Sequence, residues 1–108
     1  KDPDVTRPDP ATLTTLGDLR HGIDAIDRDL MALLAERLAH VDRVAVIKAQ
    51  TGVSAAAPTR YAAVIEGVRD RAAQAGFDPD IAEAMWRVMI DAFIAREQQV
   101  LGTEGEDA

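Results

Sequence analysis

Two basic residues on one predicted helix are spaced to bind a small dianion. Arg37 and Lys48 are eleven residues apart, which places them about 20° apart around an α-helix and about 16 Å apart along it. Their long side chains can bend towards each other over the apolar surface between them. Because the chain has a net charge of −7, an anion must be bound by a local cluster of cations such as this one. The pair therefore predicts a binding site for a small dianion.

Three further charged residues occupy unusual helical positions. Arg20 points about 100° away from Arg37 and lies more than about 25 Å from it along the helix, so it could only complete the site of an antiparallel second copy. Arg60 lies in the first turn of a helix, where the helix dipole disfavours a cation. Glu97 follows an apolar stripe, and burial would favour its protonated form. Taken alone, each cation could instead form an ordinary ion pair, and Glu97 could be a solvated charge near a helix end.

The sequence lacks the patterns of nucleophilic, nucleotide-dependent and metal-dependent enzymes. It has no cysteine, no nucleophile elbow and no P-loop or dinucleotide-binding fingerprint. His21 and His40 have no carboxylate at ligand spacing, so we expect no metal. The acidic composition argues against nucleic acid and anionic membranes as partners. Because there is neither an apolar run of membrane-spanning length nor a signal-peptide pattern at the start, we expect a cytoplasmic protein.

The longest predicted element is a first helix from Leu16 to about Gln50. Its apolar residues recur at heptad spacing, which is typical of a helix packed along its whole length. This α1 seam consists of Leu16, Leu19, Ile23, Ile26, Leu30, Leu33, Val44 and Ile47, and Arg37 and His40 interrupt it. The helix would be about 50 Å long, whereas a compact domain of this size is about 34 Å across. The helix therefore needs a partner, and a second copy is the simplest one.

Two shorter helices follow. The second is predicted from Pro58 to Gly76, and the third from Pro79 to about Leu101, with Asp78 as its N-cap. The apolar face of the second helix comprises Ala62, Ile65, Val68 and Ala72, and the apolar positions of the third are Ile81, Met85, Val88, Met89, Ala92 and Ile94.

These elements predict an all-α fold of three helices per chain, with one very long first helix, assembled as an intertwined homodimeric helical bundle. The helical domain covers residues 16–101. A proline-rich arm, residues 1–15, and an acidic tail, residues 102–108, are expected to be flexible.

The charged positions and the helices together resemble the all-helical chorismate mutase family. Residues 19–27 (LRHGIDAID) match the opening motif "LRxxIDxID" of that family. Arg37, Lys48 and Arg60 fall at its later Arg and Lys positions, and Glu97 falls where a Gln or Glu closes the pocket. The resemblance covers roughly residues 16–101 and implies an intertwined dimer with two composite active sites.

The resemblance also implies a reaction and a role for each matched residue. The reaction is the pericyclic rearrangement of chorismate to prephenate, which belongs to the shikimate pathway and aromatic amino acid biosynthesis and needs no cofactor. Arg37 and the Arg20 of a second copy would bind the two substrate carboxylates, while Arg60 would border the pocket. Lys48 would bind a carboxylate and the ether oxygen, and a protonated Glu97 would donate a hydrogen bond to the same oxygen. Such a reaction needs a compact substrate conformation and donors aimed at the breaking C–O bond.

Two positions leave the choice of substrate open. Many mutases of the family have a Glu after the second-helix Arg, where this chain has Tyr61, so Tyr61 is a further candidate substrate-binding residue. The branch containing isochorismate-pyruvate lyase also lacks that Glu, and within the family the chain looks closest to this branch. Glu97 favours a mutase instead, because the lyase has Gln there. The alternatives are therefore a salicylate-forming lyase, an amino-chorismate mutase and, outside enzymes, a helical dimerisation or regulatory module.

Overall fold

The computed structural model describes residues 7–52 and 58–101 of the chain. They form three α-helices, α1 (Leu16–Thr51), α2 (Pro58–Ala75) and α3 (Pro79–Leu101). No strand occurs among them, and none of their helices is long and apolar enough to cross a membrane. The predicted all-α fold with a very long first helix is confirmed, and the predicted helix ends agree with the observed ones to within one residue.

The chain divides into two units, Lys1–Arg37 and Leu38–Ala108. In the first unit, the Thr15 hydroxyl caps α1 by accepting a hydrogen bond from the backbone N–H of Asp18 at 3.0 Å. The α1 seam residues that are exposed in this unit are Leu16, Ile23, Ile26, Leu30 and Leu33. That a second copy covers their apolar surface stays a prediction.

The described part of the N-terminal arm is not wholly irregular. Pro10–Thr12 form a 3-10 turn, and the Asp9 carboxylate accepts a hydrogen bond from the N–H of Ala11. Arg7 forms an ion pair with Asp29 of α1. Residues 1–6 of the predicted flexible arm, and the whole predicted tail, lie outside the described residues, so the flexibility of both ends stays a prediction.

The core of the second unit lies between α2 and α3. Val68 and Ala72 of α2 pack with Ala82 of α3, and Val64 and Trp86 surround this cluster. Of the predicted apolar face of α2, Ile65, Val68 and Ala72 are buried and Ala62 is exposed. The α2 periodicity therefore identified most of the face that packs.

A tight turn reverses the chain between α2 and α3. Gly76 adopts a φ of 77°, a left-handed conformation that glycine accepts without steric cost. The N–H of Phe77 donates to the carbonyl of Ala72 at 2.9 Å and that of Gly76 to Ala73 at 3.2 Å, which is the Schellman pattern of a helix C-terminus. The Asp78 carboxylate then caps α3 by accepting from the N–H of Asp80 at 2.8 Å, as predicted.

Only part of the apolar surface of α3 packs on α2. Ala82 and Trp86 lie at the core, whereas Ile81, Met85 and Val88 are at least half exposed. The exposed set lies about 100° around the helix from the buried one. Small and aromatic side chains make this contact, while the aliphatic stripe beside it remains exposed.

Candidate active site

A carboxyl group and an ammonium group meet between the last turn of α1 and the C-terminal part of α3. Nζ of Lys48 donates a hydrogen bond to Oε1 of Glu97 at 3.3 Å. The Glu97 side chain is only 9% exposed and that of Lys48 is 20% exposed. A carboxylate is costly to bury unless a cation pairs with it, so Lys48 stabilises Glu97 in this position. The structure thus brings together the two residues that the sequence predicted to be catalytic.

Local sequence determines where α1 ends and hence where Lys48 lies. Gly52 has a φ of 78°, and its N–H donates to the carbonyl of Lys48 at 2.9 Å, which is a glycine-terminated helix end. The Thr51 hydroxyl donates to the carbonyls of Ile47 and Lys48 at 3.2 and 3.3 Å. Lys48 is therefore in the last turn, where the helix dipole favours a cation.

Glu97 is buried rather than solvated. Among the described residues it is the only charged one in the buried class. Ile90 and Ile94, which precede it on the same stripe of α3, are half-buried. The burial of Glu97 is confirmed, and a solvated charge at a fraying helix end is excluded.

A second ion pair lies beside the first and was not predicted from the sequence. Nε of Arg96 donates to Oδ1 of Asp42 at 2.7 Å, and Nη2 donates to Oδ2 at 3.0 Å. This two-bond contact holds the pKa of Asp42 below its ordinary value, chiefly through the hydrogen bond from Arg96, and raises the pKa of Arg96. The two residues are 54 positions apart, and only the packing of α3 on α1 brings them together.

The first turn of α2 carries Arg60 and Tyr61. Arg60 is exposed. The Tyr61 hydroxyl donates to Oδ1 of Asp91 at 2.9 Å, and the guanidinium carbon of Arg87 lies 5.7 Å from the centre of the Tyr61 ring. Desolvation and the Asp91 carboxylate raise the pKa of Tyr61, so its hydroxyl stays a donor at neutral pH.

The Tyr61 hydroxyl contacts a side of α3 that differs from the side on which Glu97 lies. Asp91 precedes Glu97 by six residues, which is about 120° around the helix. The structure therefore does not bring Tyr61 to the Lys48–Glu97 pair. Sequence reasoning also missed Asp91, because nothing in the local pattern of α3 marks it as the partner of a residue on α2.

Arg20 and Arg37 belong to the first unit. Arg20 is exposed and Arg37 is half-buried. Their roles in substrate binding, including the contribution of Arg20 to a second copy, stay predictions.

The Lys48–Glu97 pair can bind anions and donate hydrogen bonds. An anion that approaches Lys48 competes with Glu97 for the ammonium group, which donates to Oε1 of Glu97 at 3.3 Å. Within residues 7–52 and 58–101, no group of three or more His, Cys, Asp or Glu side chains could hold a metal ion. The ammonium group of Lys48 is a donor that suits an oxygen on which negative charge develops.

Comparison with known proteins gives a family match over most of the chain. Residues 19–98 match the family model described as chorismate mutase type II. The chain is similar to the T-protein of Haemophilus influenzae, with 37% identity over 87 residues that make up 81% of this chain and 23% of that protein. It is also similar to the T-protein of Enterobacter agglomerans, with 33% identity over 82 residues, 75% of this chain and 22% of that protein. The chain thus spans less than a quarter of the length of these curated relatives.

Proposed function

Because the chain belongs to the chorismate mutase type II family, we propose that it catalyses the rearrangement of chorismate to prephenate. The observation that carries this proposal is the hydrogen bond of 3.3 Å between Lys48 and the buried Glu97. The reaction is unimolecular and requires a compact substrate conformation with donors aimed at the ether oxygen of the breaking bond. An ammonium group beside a shielded carboxyl group is suited to that task.

Lys48 and Glu97 exchange their mutual contact for contacts with the substrate. The dianionic substrate competes for the ammonium group of Lys48, which then donates to a carboxylate and to the ether oxygen. A carboxylate cannot donate a hydrogen bond, so Glu97 must bind a proton before it contacts the same oxygen.

The remaining candidate residues bind and orient the substrate. Arg37 and the Arg20 of a second copy bind the two carboxylates, and Arg60 borders the pocket. Tyr61 influences the choice of ring substituent. The roles of the three arginines are supported by their order and spacing and by the family match, which covers all of them.

The working form of the enzyme is a homodimer in which α1 packs against α1 of a second copy. The support is the exposed α1 seam of the first unit, where Leu16 is 66% and Leu33 is 58% exposed. Burial of apolar surface contributes about 25 cal/mol per Å², so a continuous seam of such residues favours association. A second copy has the same seam and is the simplest complement to it.

A second candidate function is isochorismate-pyruvate lyase activity. Tyr61 follows Arg60 where many mutases have a Glu, and its hydroxyl is hydrogen-bonded to Asp91. The lyase needs the same cations as the mutase. The two activities therefore differ in the contacts to the substrate ring rather than in the contacts to its carboxylates.

The decisive experiment offers the purified protein chorismate and, separately, isochorismate, and quantifies prephenate against salicylate and pyruvate. Prephenate with little salicylate supports the mutase, and efficient salicylate release supports the lyase. Arg37→Ala should abolish turnover, whereas Arg43→Ala, a matched loss of an exposed cation on the same helix, should not. Neither product from a folded dimer would contradict both enzymes and favour a dimerisation or regulatory module.

A further inference from the structure

We infer that the ion pair between Asp42 and Arg96 positions the catalytic pair Lys48–Glu97, an inference that rests on the proposed function. Asp42 is on α1, six residues before Lys48, and Arg96 is on α3, immediately before Glu97. Both nitrogen–oxygen contacts of this pair are short, at 2.7 and 3.0 Å. Asp42 and Arg96 are positioning residues, because they act on the substrate only through their neighbours.

The two ion pairs lie on opposite edges of the line along which α1 meets α3. Asp42 and Lys48 are about 120° apart around α1, and Ala45 lies midway between them. Ala45 is 2% exposed and is the one buried residue in the described length of α1. On α3, Arg96 and Glu97 are about 100° apart. Arg96 lies at the edge with Asp42, and Glu97 lies at the edge with Lys48. One contact on each edge fixes the rotation of both helices about their axes.

Apolar packing alone defines the register of this contact poorly. Val44, Val46 and Ile47 of α1 are exposed in the described chain, so the packed face is limited to the small side chain of Ala45 and the half-buried Leu38 and Val41. A slip of one helical turn would move Lys48 by about 5.4 Å and break its hydrogen bond to Glu97. A guanidinium–carboxylate pair with two parallel bonds has a defined geometry, so it can define the register more sharply than this small apolar face does.

Substitution and exchange of the two charges test this inference through turnover of chorismate. Asp42→Asn, Arg96→Gln and Arg96→Lys each remove the two-bond contact, and the lysine variant keeps the charge. We expect each to lower kcat by about tenfold, since small misplacements of catalytic groups are costly, with KM changed less than about twofold. The exchanged double variant, Asp42→Arg with Arg96→Asp, should recover most of kcat. Wild-type kcat in the single variants, or no recovery in the exchanged variant, would overturn the inference.

A double-mutant cycle separates positioning from a general loss of structure. If Arg96 acts through Glu97, Arg96→Gln should have little additional effect on kcat in a Glu97→Gln background, because interacting residues give non-additive changes. Equal effects in both backgrounds would contradict the inference. Arg69→Gln is the matched control, because it breaks an ion pair of 2.8 Å with Glu83 that joins α2 to α3, and it should leave kcat unchanged.

A measurement on the free protein distinguishes failure of this inference from failure of the proposed function. The ¹⁵N chemical shift of the Lys48 ammonium group reports its contact with Glu97 without any substrate. It should change in Arg96→Gln, return towards the wild-type value in the exchanged variant and stay unchanged in Arg69→Gln. A wild-type protein that turns over no chorismate would contradict the proposed function alone. An unchanged shift in Arg96→Gln would contradict the positioning role whichever substrate is used.

Discussion

Lys48 donates a hydrogen bond to Glu97, although the two residues are 49 positions apart in the sequence. The contact joins the last turn of α1, the longest helix, to a buried carboxyl group on α3. In the free chain the ammonium group of Lys48 is the hydrogen-bond donor to this carboxyl group. In the proposed mechanism the substrate displaces Glu97 from Lys48, so we expect both the stability and the activity of the protein to depend on the same contact.

Lys48→Ala should reduce both turnover and stability. Loss of a donor to the developing charge should lower kcat/KM by about 10²-fold or more. The Glu97 carboxyl group loses its hydrogen-bond partner in a buried position, which should lower the free energy of unfolding by about 1–3 kcal/mol. Steady-state kinetics with chorismate and urea denaturation measure the two effects.

The double variant Lys48→Ala with Glu97→Gln is the control for the stability effect. A neutral amide is less costly to bury without a partner than a carboxylate, so the double variant should unfold at a higher urea concentration than Lys48→Ala alone. Equal stability of the two variants would show that the ion pair contributes nothing to the stability of the free chain.

Glu97→Gln should change the pH dependence of turnover rather than abolish turnover. If the protonated carboxyl group donates to the ether oxygen, kcat/KM of the wild-type enzyme should fall as the pH rises and the proton is lost. A glutamine amide donates at every pH, so the variant should show a flatter profile. Profiles of both enzymes with chorismate test this, and identical profiles would remove Glu97 from the proposed mechanism.

The helix ends could be predicted from the sequence because local interactions determine them. The glycine that ends α1 has the positive φ expected of a helix C-terminus, and Asp78 caps α3 through a residue two positions away. The burial of Glu97 was also predictable, since it shares a stripe with Ile90 and Ile94. Each of these features depends on residues within about two turns of one helix.

The ion pairs between helices could not be predicted in the same way. Asp42 and Arg96 meet only because α3 packs on α1 at a particular register. The apolar periodicity of either helix alone does not predict that register. The place of Ala82 at the centre of the α2–α3 contact was missed for a similar reason. Ile81, Met85 and Val88 are more apolar than Ala82, yet Ala82 is the residue that allows α2 to approach closely.

Glu83→Gln should make the Tm of the protein less dependent on pH in the acidic range. Arg87 and then Arg69 hold the pKa of Glu83 below its ordinary value of 4.5, chiefly by hydrogen bonding. A carboxyl group whose pKa is lowered in the folded state stabilises the fold at pH values above its ordinary pKa. This contribution is lost as the pH falls through the folded-state pKa. The variant should therefore have a lower Tm than wild type at about pH 7, and this difference should be smaller at about pH 3.

Thermal unfolding between these pH values measures the effect of Glu83. Glu66→Gln is the matched control, since it makes the same change of charge at an exposed position of α2. Its Tm should follow that of the wild type across the range. A Glu83→Gln curve that runs parallel to the wild-type curve at every pH would contradict the assignment.

Mixing two inactive variants should restore activity if Arg20 completes the site of a second copy. Arg20→Ala and Lys48→Ala chains, unfolded together and refolded as an equal mixture, should form heterodimers with one intact site and one doubly altered site. Random pairing of two equal populations predicts about a quarter of the wild-type sites, so turnover should return to about that fraction. Refolding each variant alone provides the baseline, and mass spectrometry of the intact dimers verifies the mixture. Verified heterodimers without turnover would show that Arg20 does not act across the interface.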